Sequence, residues 1–148
     1  MSLLDKLKAG LDQVLGEGQE FFAKVTSKGQ FERIVQTCYL IGMADGSFDA
    51  EEKSALAKFI HKKMPQFSLS DVIDCIKKTD EIVSFDSDMG QLEIIGNVTK
   101  ARGEDAEAIV RTAILIGKSD GDFDDDEKAL VIQLAKGMEV DPSKYGIE

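Results

Sequence analysis

The chain has 148 residues, of which 43% are hydrophobic and 31% are charged, proportions that are typical of one soluble domain with an apolar core. Its formal net charge of −10 argues against nucleic-acid binding, because an acidic surface repels phosphate backbones and attracts cations or a basic protein surface. No apolar stretch is long enough for a transmembrane helix, and a single histidine excludes a histidine-based zinc or catalytic cluster.

The first predicted element is an amphipathic N-terminal arm, residues 1–28, which precedes an all-helical domain of residues 29–148. Apolar residues recur at helical spacing in the arm, and its charges cancel, with four lysines and four acidic residues in the first 30 positions. Gly10, Gly16 and Gly18 weaken it as an isolated helix by ~1 kcal/mol each relative to alanine. Two interpretations stay open: the arm packs on the helical domain, or it docks on a partner protein or a membrane interface.

Apolar residues at helical spacing predict six further helices in the rest of the chain. They span about residues 31–44, 50–63, 70–83, 89–101, 105–118 and 125–137. Ser70 is the predicted N-cap of the third of these, "SFDSDMG" a junction before the fourth, and "RGEDAE" a turn before the fifth. We therefore predict an all-α protein, a bundle of about seven helices.

Residues 32–53 and 107–128 are copies of one another. They align without gaps at an offset of 75 residues, and 13 of the 22 positions are identical. Each copy reads as a helix, an acidic turn and a second helix, which predicts two pseudo-symmetric helix–acidic turn–helix halves around one core. The apolar positions expected to be buried are Ile34, Val35, Cys38, Ile41, Phe48 and Leu56 in the first half, and Ile109, Val110, Ala113, Ile116, Phe123 and Val131 in the second.

The acidic turn of each copy contains part of a calcium-binding EF-hand loop. With Gly46 at the sixth position of that loop, Ile41 and Met43 stand where the first two oxygen ligands belong. Ile116 and Lys118 occupy the same positions in the second copy. A standard EF-hand is therefore excluded, and about half of a coordination shell is left.

Helix capping accounts for most of the acidic residues in the two turns. Asp49 and Glu52 have the spacing of a capping box, in which the N-cap side chain and the residue three positions later each bind a backbone amide of the other. Asp124 and Glu127 have the same spacing in the second copy. Capping by itself is thus one complete explanation for these four residues.

The first aspartate of each turn, Asp45 or Asp120, is not explained by capping, because a helix dipole disfavours a carboxylate at the helix C-terminus. Three carboxylates around a tight turn repel each other unless a cation or a lysine lies among them, and hard oxygen ligands favour Ca²⁺ or Mg²⁺. The candidate metal ligands are Asp45, Asp49 and Glu52, together with Asp120, Asp124 and Glu127. Capping alone, and capping with a weak cation site, stay open as alternatives.

Several segments together resemble the tellurite resistance protein TerB family: the doubled turns GMADGSFDAEEK and GKSDGDFDDDEK, the leading MSLLDKLKAG, the central VSFDSD and the final VDPSKYGIE. The resemblance spans essentially the whole chain. It implies an all-α fold with internal pseudo-symmetry and a cytoplasmic bacterial protein from a tellurite or stress-resistance cluster. It also implies a non-enzymatic protein that works with a membrane-associated partner, and metal binding by the six acidic residues named above.

Three functions stay open at this point. The first is a non-enzymatic acidic scaffold or sensor that binds divalent metal and docks on partner proteins, peripherally at the inner membrane face. The second is a thiol-dependent enzyme that processes tellurite with Cys38 and Cys75, although neither cysteine is directly flanked by a basic residue or a histidine in the sequence. The third is a purely structural adaptor without metal. For the two cysteines themselves, the sequence predicts small buried side chains in a reducing cytosol.

Overall fold

The computed structural model describes residues 19–44, 48–118 and 124–147. Within these ranges every regular element is a helix, which confirms the predicted all-α fold. The α-helices are α1 (Gln19–Lys24), α2 (Lys28–Ala44), α3 (Ala50–Lys63), α4 (Leu69–Phe85), α5 (Ser87–Val98), α6 (Gly103–Lys118) and α7 (Asp125–Gly137), and a 3₁₀ helix follows at Pro142–Tyr145. The bounds of α3 and α7 coincide with those predicted from apolar spacing.

Helix α2 lies at the centre of the bundle. From Phe31 to Ile41 nearly all of its side chains are buried, and it packs against α4, α5, α6 and α7. Helix α3 packs instead on α4 and α1, while α6 and α7 pack on each other. The buried residues of α2 include the polar Gln30, Gln36 and Thr37 beside the apolar ones, so α2 is enclosed by its neighbours on most sides.

The predicted core is confirmed wherever the structure describes it. The buried residues of that set are Ile34, Val35, Cys38, Ile41 and Leu56 in the first half, and Ile109, Val110, Ala113 and Val131 in the second. Phe48 is half-buried and packs against the core. The side chain of Ile116 and all of Phe123 lie outside the described residues. Superposition of the two halves stays a prediction.

The predicted N-cap of α4 is wrong, because Ser68 and not Ser70 caps this helix. The Ser68 hydroxyl accepts a hydrogen bond from the amide of Asp71 at 3.0 Å, and the Asp71 carboxylate accepts one from the amide of Ser68 at 3.3 Å. A capping box needs a polar acceptor three residues after the cap. Ser70 has Ile73 at that position, which cannot return the bond.

The junction between α4 and α5 is confirmed and consists of one residue. Asp86 ends α4 and caps α5 with extended backbone angles (φ −154°, ψ 110°), and its carboxylate accepts a hydrogen bond from the amide of Met89 at 3.1 Å. Gly90 lets the two helices approach closely, because a Cβ there would lie 2.5 Å from the carbonyl oxygen of Ile82. The two helices therefore form a tight hairpin.

The predicted turn "RGEDAE" is wrong after its first residue, because α6 begins at Gly103. Glu104 and Asp105 lie in the first turn of this helix, where the helix dipole favours negative charge. The run of acidic residues in the sequence therefore marks a helix start and not a loop.

Residues 22–25 of the predicted arm pack on the bundle. Phe22 and Val25 are buried in the core. The side-chain amide of Gln66 donates hydrogen bonds to the carbonyl oxygens of Phe22 and Val25 at 2.7 Å and 2.9 Å. The rest of the predicted apolar stripe, up to residue 18, lies outside the described residues, and the domain boundary at residue 28 stays a prediction.

Candidate functional site

The first acidic turn ends in a capping box at the start of α3, as predicted. Asp49 has extended backbone angles (φ −87°, ψ 178°), and its Oδ1 accepts a hydrogen bond from the amide of Glu52 at 2.9 Å. The amide of Asp49 donates in return to Oε1 of Glu52 at 3.5 Å. This arrangement holds the carboxylate of Glu52 beside the backbone of the turn.

The second acidic turn ends with the same N-cap hydrogen bond at the start of α7. Asp124 is extended (φ −74°, ψ 172°), and its Oδ1 accepts a hydrogen bond from the amide of Glu127 at 2.8 Å. The carbonyl oxygens of Asp49 and Asp124 each accept the amide of the lysine four residues later, at 3.0 Å in both copies. The repeat in the sequence is thus a repeat in local structure at both helix starts.

The two glutamates of the caps are buried, which spacing alone does not predict. The exposed fraction is 3% for Glu52 and 1% for Glu127, whereas other acidic residues in the first turns of α3 and α7, such as Glu51 and Asp126, are exposed. Burial of a carboxylate is unfavourable unless polar groups or cations surround it. In both copies a carboxylate thus lies below the surface next to the acidic turn, in surroundings that must include polar or charged partners.

The structure brings together two members of each predicted metal-ligand set, Asp49 with Glu52 and Asp124 with Glu127. The third members, Asp45 and Asp120, lie outside the described residues. Among the residues that are described, no three acidic, histidine or cysteine side chains gather in a way that could hold a metal ion. The convergence of three carboxylates in each turn stays a prediction.

A polar cluster beside the first turn was not apparent from the sequence. The ammonium group of Lys53 lies 2.7 Å from Oδ1 of Asp80, and the hydroxyl of Tyr39 donates a hydrogen bond to the same oxygen. The ring of Phe48 packs edge-on against Tyr39 with centroids 4.9 Å apart, and Lys53 lies over both rings. Burial, and next the Asp80 carboxylate, raise the pKa of Tyr39.

This cluster distinguishes the two copies of the repeat. Asp80 belongs to α4, outside the repeat, and Tyr39 is replaced by Ile114 in the second copy. The cluster therefore ties the first turn, α2 and α3 to α4. The only sequence signal that could have indicated it is the difference between tyrosine and isoleucine at otherwise similar positions.

Both cysteines are buried, as predicted, and in surroundings that disfavour a thiolate. Burial raises the pKa of Cys38 to about 12. Burial and the nearby Glu32 raise the pKa of Cys75 to about 12, although Lys78 and Lys28 act in the opposite direction. Since the thiolate is the reactive form, neither cysteine has the properties of a nucleophile at neutral pH.

The helices in the described ranges include none with the length and apolarity needed to cross a membrane. A family model described as "Tellurite resistance protein TerB" matches residues 20–147. Neither the curated proteins nor the solved structures gave a significant match. The family match covers all seven α-helices except the first residue of α1, and both acidic turns. The chain therefore belongs to the TerB family of tellurite resistance proteins.

Proposed function

We propose that the protein is a non-enzymatic, cytoplasmic component of bacterial tellurite resistance. In this proposal it is an acidic scaffold that docks on membrane-associated partner proteins and binds divalent cations at its two turns. Family membership supports the link to tellurite resistance. The net charge of −10 supports the attraction of cations and of basic protein surfaces.

The observation that carries the cation part of the proposal is the buried glutamate next to each turn. Glu52 and Glu127 are both buried, and each lies three residues after the N-cap aspartate that accepts its amide, so each turn has a carboxylate below the surface next to it. With the capping aspartate and with Asp45 or Asp120, this glutamate provides hard oxygen ligands suited to Ca²⁺ or Mg²⁺.

Binding at these turns is expected to be weak. Ca²⁺ takes six to eight oxygen ligands, and each turn offers three carboxylates, so water and backbone carbonyls must complete the shell. Asp49 and Asp124 also accept helix amides, which leaves fewer of their lone pairs for a cation. The protein would then respond to changes in cation concentration and would not hold a cation permanently.

Calorimetric titration with Ca²⁺, Mg²⁺, Mn²⁺ and Zn²⁺ tests the cation site. The Asp120→Asn and Asp45→Asn variants should each weaken cation binding and cation-induced thermal stabilisation while the helix content stays the same. Asp125→Asn is the matched control, because it removes the same charge from an exposed position one residue after the cap. Its binding should remain close to that of the unmodified chain.

Two outcomes would contradict the cation site. Equal losses of cation affinity in Asp120→Asn and Asp125→Asn would show that cations bind non-specifically to the negatively charged surface and not at the turns. No heat and no stabilisation with any of the four cations would leave capping as the whole role of the turns, and the protein would be an adaptor without metal.

A cellular test separates the scaffold from the thiol-dependent enzyme. Tellurite survival should be restored in a strain lacking the protein by the Cys38→Ala, Cys75→Ala double variant as well as by the unmodified chain. Loss of survival with the fold intact, checked by circular dichroism of the purified variant, would overturn the non-enzymatic proposal.

A further inference from the structure

Three large apolar side chains are exposed together on the α4–α5 hairpin. Phe85 is 95% exposed, Met89 64% and Leu92 55%. Among the described residues the one other exposed large hydrophobic side chain is Ile73, at 37%. Clusters of this kind mark interaction surfaces more often than single exposed apolar residues do.

Met89 and Leu92 share one face of α5, and Phe85 is the last residue of α4, separated from the start of α5 by one residue. Helix α5 buries Ile94 and Val98 against the bundle. At about 100° per residue, Met89, Leu92 and Gly96 fall on the opposite face of the helix. The hairpin patch, as we name it, consists of these three residues and Phe85, which directly precedes the residue that caps α5.

Gly96 faces open space in the part of the chain that the structure describes. A Cβ built there meets no atom within 4 Å, whereas a Cβ at Gly90 in the same helix would clash with the backbone of α4. Glycine inside a helix lowers its stability, and it is otherwise found where a backbone must be approached closely. Gly96 therefore leaves a smooth, open site in the patch at which another chain can contact the helix backbone.

Between Thr79 and Thr99 the charges all have one sign, with Lys78 and Lys100 directly outside this stretch. Residues 79–99 contain five acidic residues and no lysine or arginine. Asp88 and Glu93 are exposed and lie on either side of Met89 and Leu92 in helical projection. An acidic rim around an apolar patch complements a basic, apolar segment, and it repels both a second copy of this acidic chain and an anionic membrane.

We propose that the hairpin patch docks a partner polypeptide segment whose apolar side chains are flanked by lysine or arginine. The apolar side chains would cover Phe85, Met89 and Leu92, the basic side chains would pair with Asp88 and Glu93, and the segment would pass closest to the helix at Gly96. This inference rests on the proposed function and names the surface at which the partner would dock. That surface is separate from the acidic turns.

Peptide binding to the full-length chain tests the patch. The probe is a synthetic helical peptide with leucine and phenylalanine on one face and lysines beside them. Two matched peptides replace the lysines with glutamates or the apolar residues with serines. Measured by fluorescence anisotropy, the first peptide should bind about tenfold or more tightly than either control.

Variants of the protein locate the binding. The Phe85→Ser, Leu92→Ser pair and the Asp88→Asn, Glu93→Gln pair should each weaken binding by about tenfold or more. The charge variant should also reduce the dependence of binding on salt. Ile73→Ser removes an exposed apolar side chain outside the patch and should leave binding unchanged. Asp86 is not used, because its carboxylate caps α5.

Gly96→Gln separates an effect on peptide binding from an effect on the stability of the protein. Glutamine is a good helix former, so the variant should melt at a higher temperature, yet its side chain should block the segment and weaken binding by about tenfold or more. Unchanged peptide affinity in the patch variants would overturn the proposal. The proposal would also be overturned if the unmodified chain self-associates in sedimentation or binds anionic vesicles and the patch variants abolish that association or binding. Failure of docking with cation binding intact would overturn this surface and leave the acidic turns unaffected.

Discussion

Asp49 and Asp124 each organise the start of a helix with one carboxylate. Each accepts the amide of the glutamate three residues later, at 2.9 Å and 2.8 Å, and that glutamate is buried in both copies. A cation would use oxygens that already have a structural role. The stability effect of these residues must therefore be measured without divalent cations before any effect of metal is assigned.

Asp124→Ala should lower the free energy of unfolding by about 1 kcal/mol in the absence of divalent cations, because α7 loses its N-cap. Urea denaturation monitored by circular dichroism measures this. Asp125→Ala is the control, since Asp125 lies in the same turn without capping it, and its effect should be only a few tenths of a kcal/mol from the helix dipole. Equal losses in the two variants would contradict the capping role.

The two buried thiols predict how stability depends on alkaline pH. An unfolded thiol loses its proton near pH 8.5, whereas burial raises the pKa of Cys38 and Cys75 to about 12. A raised pKa in the folded state stabilises the fold below the unfolded pKa, and this stability is lost as the pH rises. The free energy of unfolding should fall from about pH 9 upward, by up to about 1.4 kcal/mol per pH unit for each thiol.

Cys38→Ala and Cys75→Ala separate this effect from other alkaline titrations. Each variant should flatten the pH dependence between about pH 8 and pH 10, whatever its effect on stability at neutral pH. An unchanged slope in both variants would show that the thiols titrate normally. In the unmodified chain, a thiol reagent at pH 8 should react only after denaturant is added.

At the scale of elements, α4 and α5 lie outside the repeat and give the two halves different surroundings. Asp80 of α4 binds Lys53 and Tyr39 beside the first turn. Helix α5 is bound to α2 through the side chain of Asn97, which donates to Gln36 at 2.7 Å. The hairpin thus fastens the central helix on one side and exposes its own apolar patch on the other.

The start of α4 provides a test of capping with two neighbouring serines. Ser68→Ala should cost about 1 kcal/mol of stability, because it removes the acceptor for the amide of Asp71. Ser70→Ala should change stability little, since Ser70 is exposed and lies inside the helix. Thermal denaturation of the two variants in parallel decides between them, and the reverse order would contradict the observed start of α4.

The two described glycines inside α5 should respond to alanine in opposite directions. Gly90→Ala should destabilise the protein by about 1–3 kcal/mol, because the added methyl group meets the backbone of α4. Gly96→Ala should stabilise it by up to about 1 kcal/mol, because the methyl group enters open space. Chemical denaturation measures both. Destabilisation by Gly96→Ala would indicate a packing role that its surroundings do not show.

At the scale of the whole molecule, α2 is surrounded by helices from both halves and from the hairpin, and the core also includes Phe22 of α1 and Val25, the residue after α1. The chain without residues 1–28 should therefore be less stable than the chain without residues 1–18, by about 3–5 kcal/mol from the lost burial of these two side chains. Denaturant unfolding of the two truncated proteins measures the difference. Equal stabilities would show that residues 19–28 act as a separate arm.

Much of the fold could be predicted from the sequence, because its signals are local. Helices α3 and α7 begin after an aspartate that caps them, and both the aspartate and the glutamate three residues later are present in the sequence. Apolar spacing likewise identified most of the buried positions of the repeat that the structure describes. The prediction at Ser70 was wrong because it did not take account of the residue three positions later, which is Asp71 for Ser68 and Ile73 for Ser70.

The sequence by itself determined that the chain is helical, the repeated acidic motif, the caps of α3 and α7 and the family, since each depends on residues a few positions apart or on the whole pattern. Only the tertiary structure decided that Glu52 and Glu127 are buried, that Lys53 pairs with Asp80, and which apolar side chains remain outside. The physical reason is that burial and pairing depend on which helices become neighbours. Helical spacing shows that α5 has more than one apolar face, but the packing of α5 against α4 and α2 determines which face is covered and which is left for a partner.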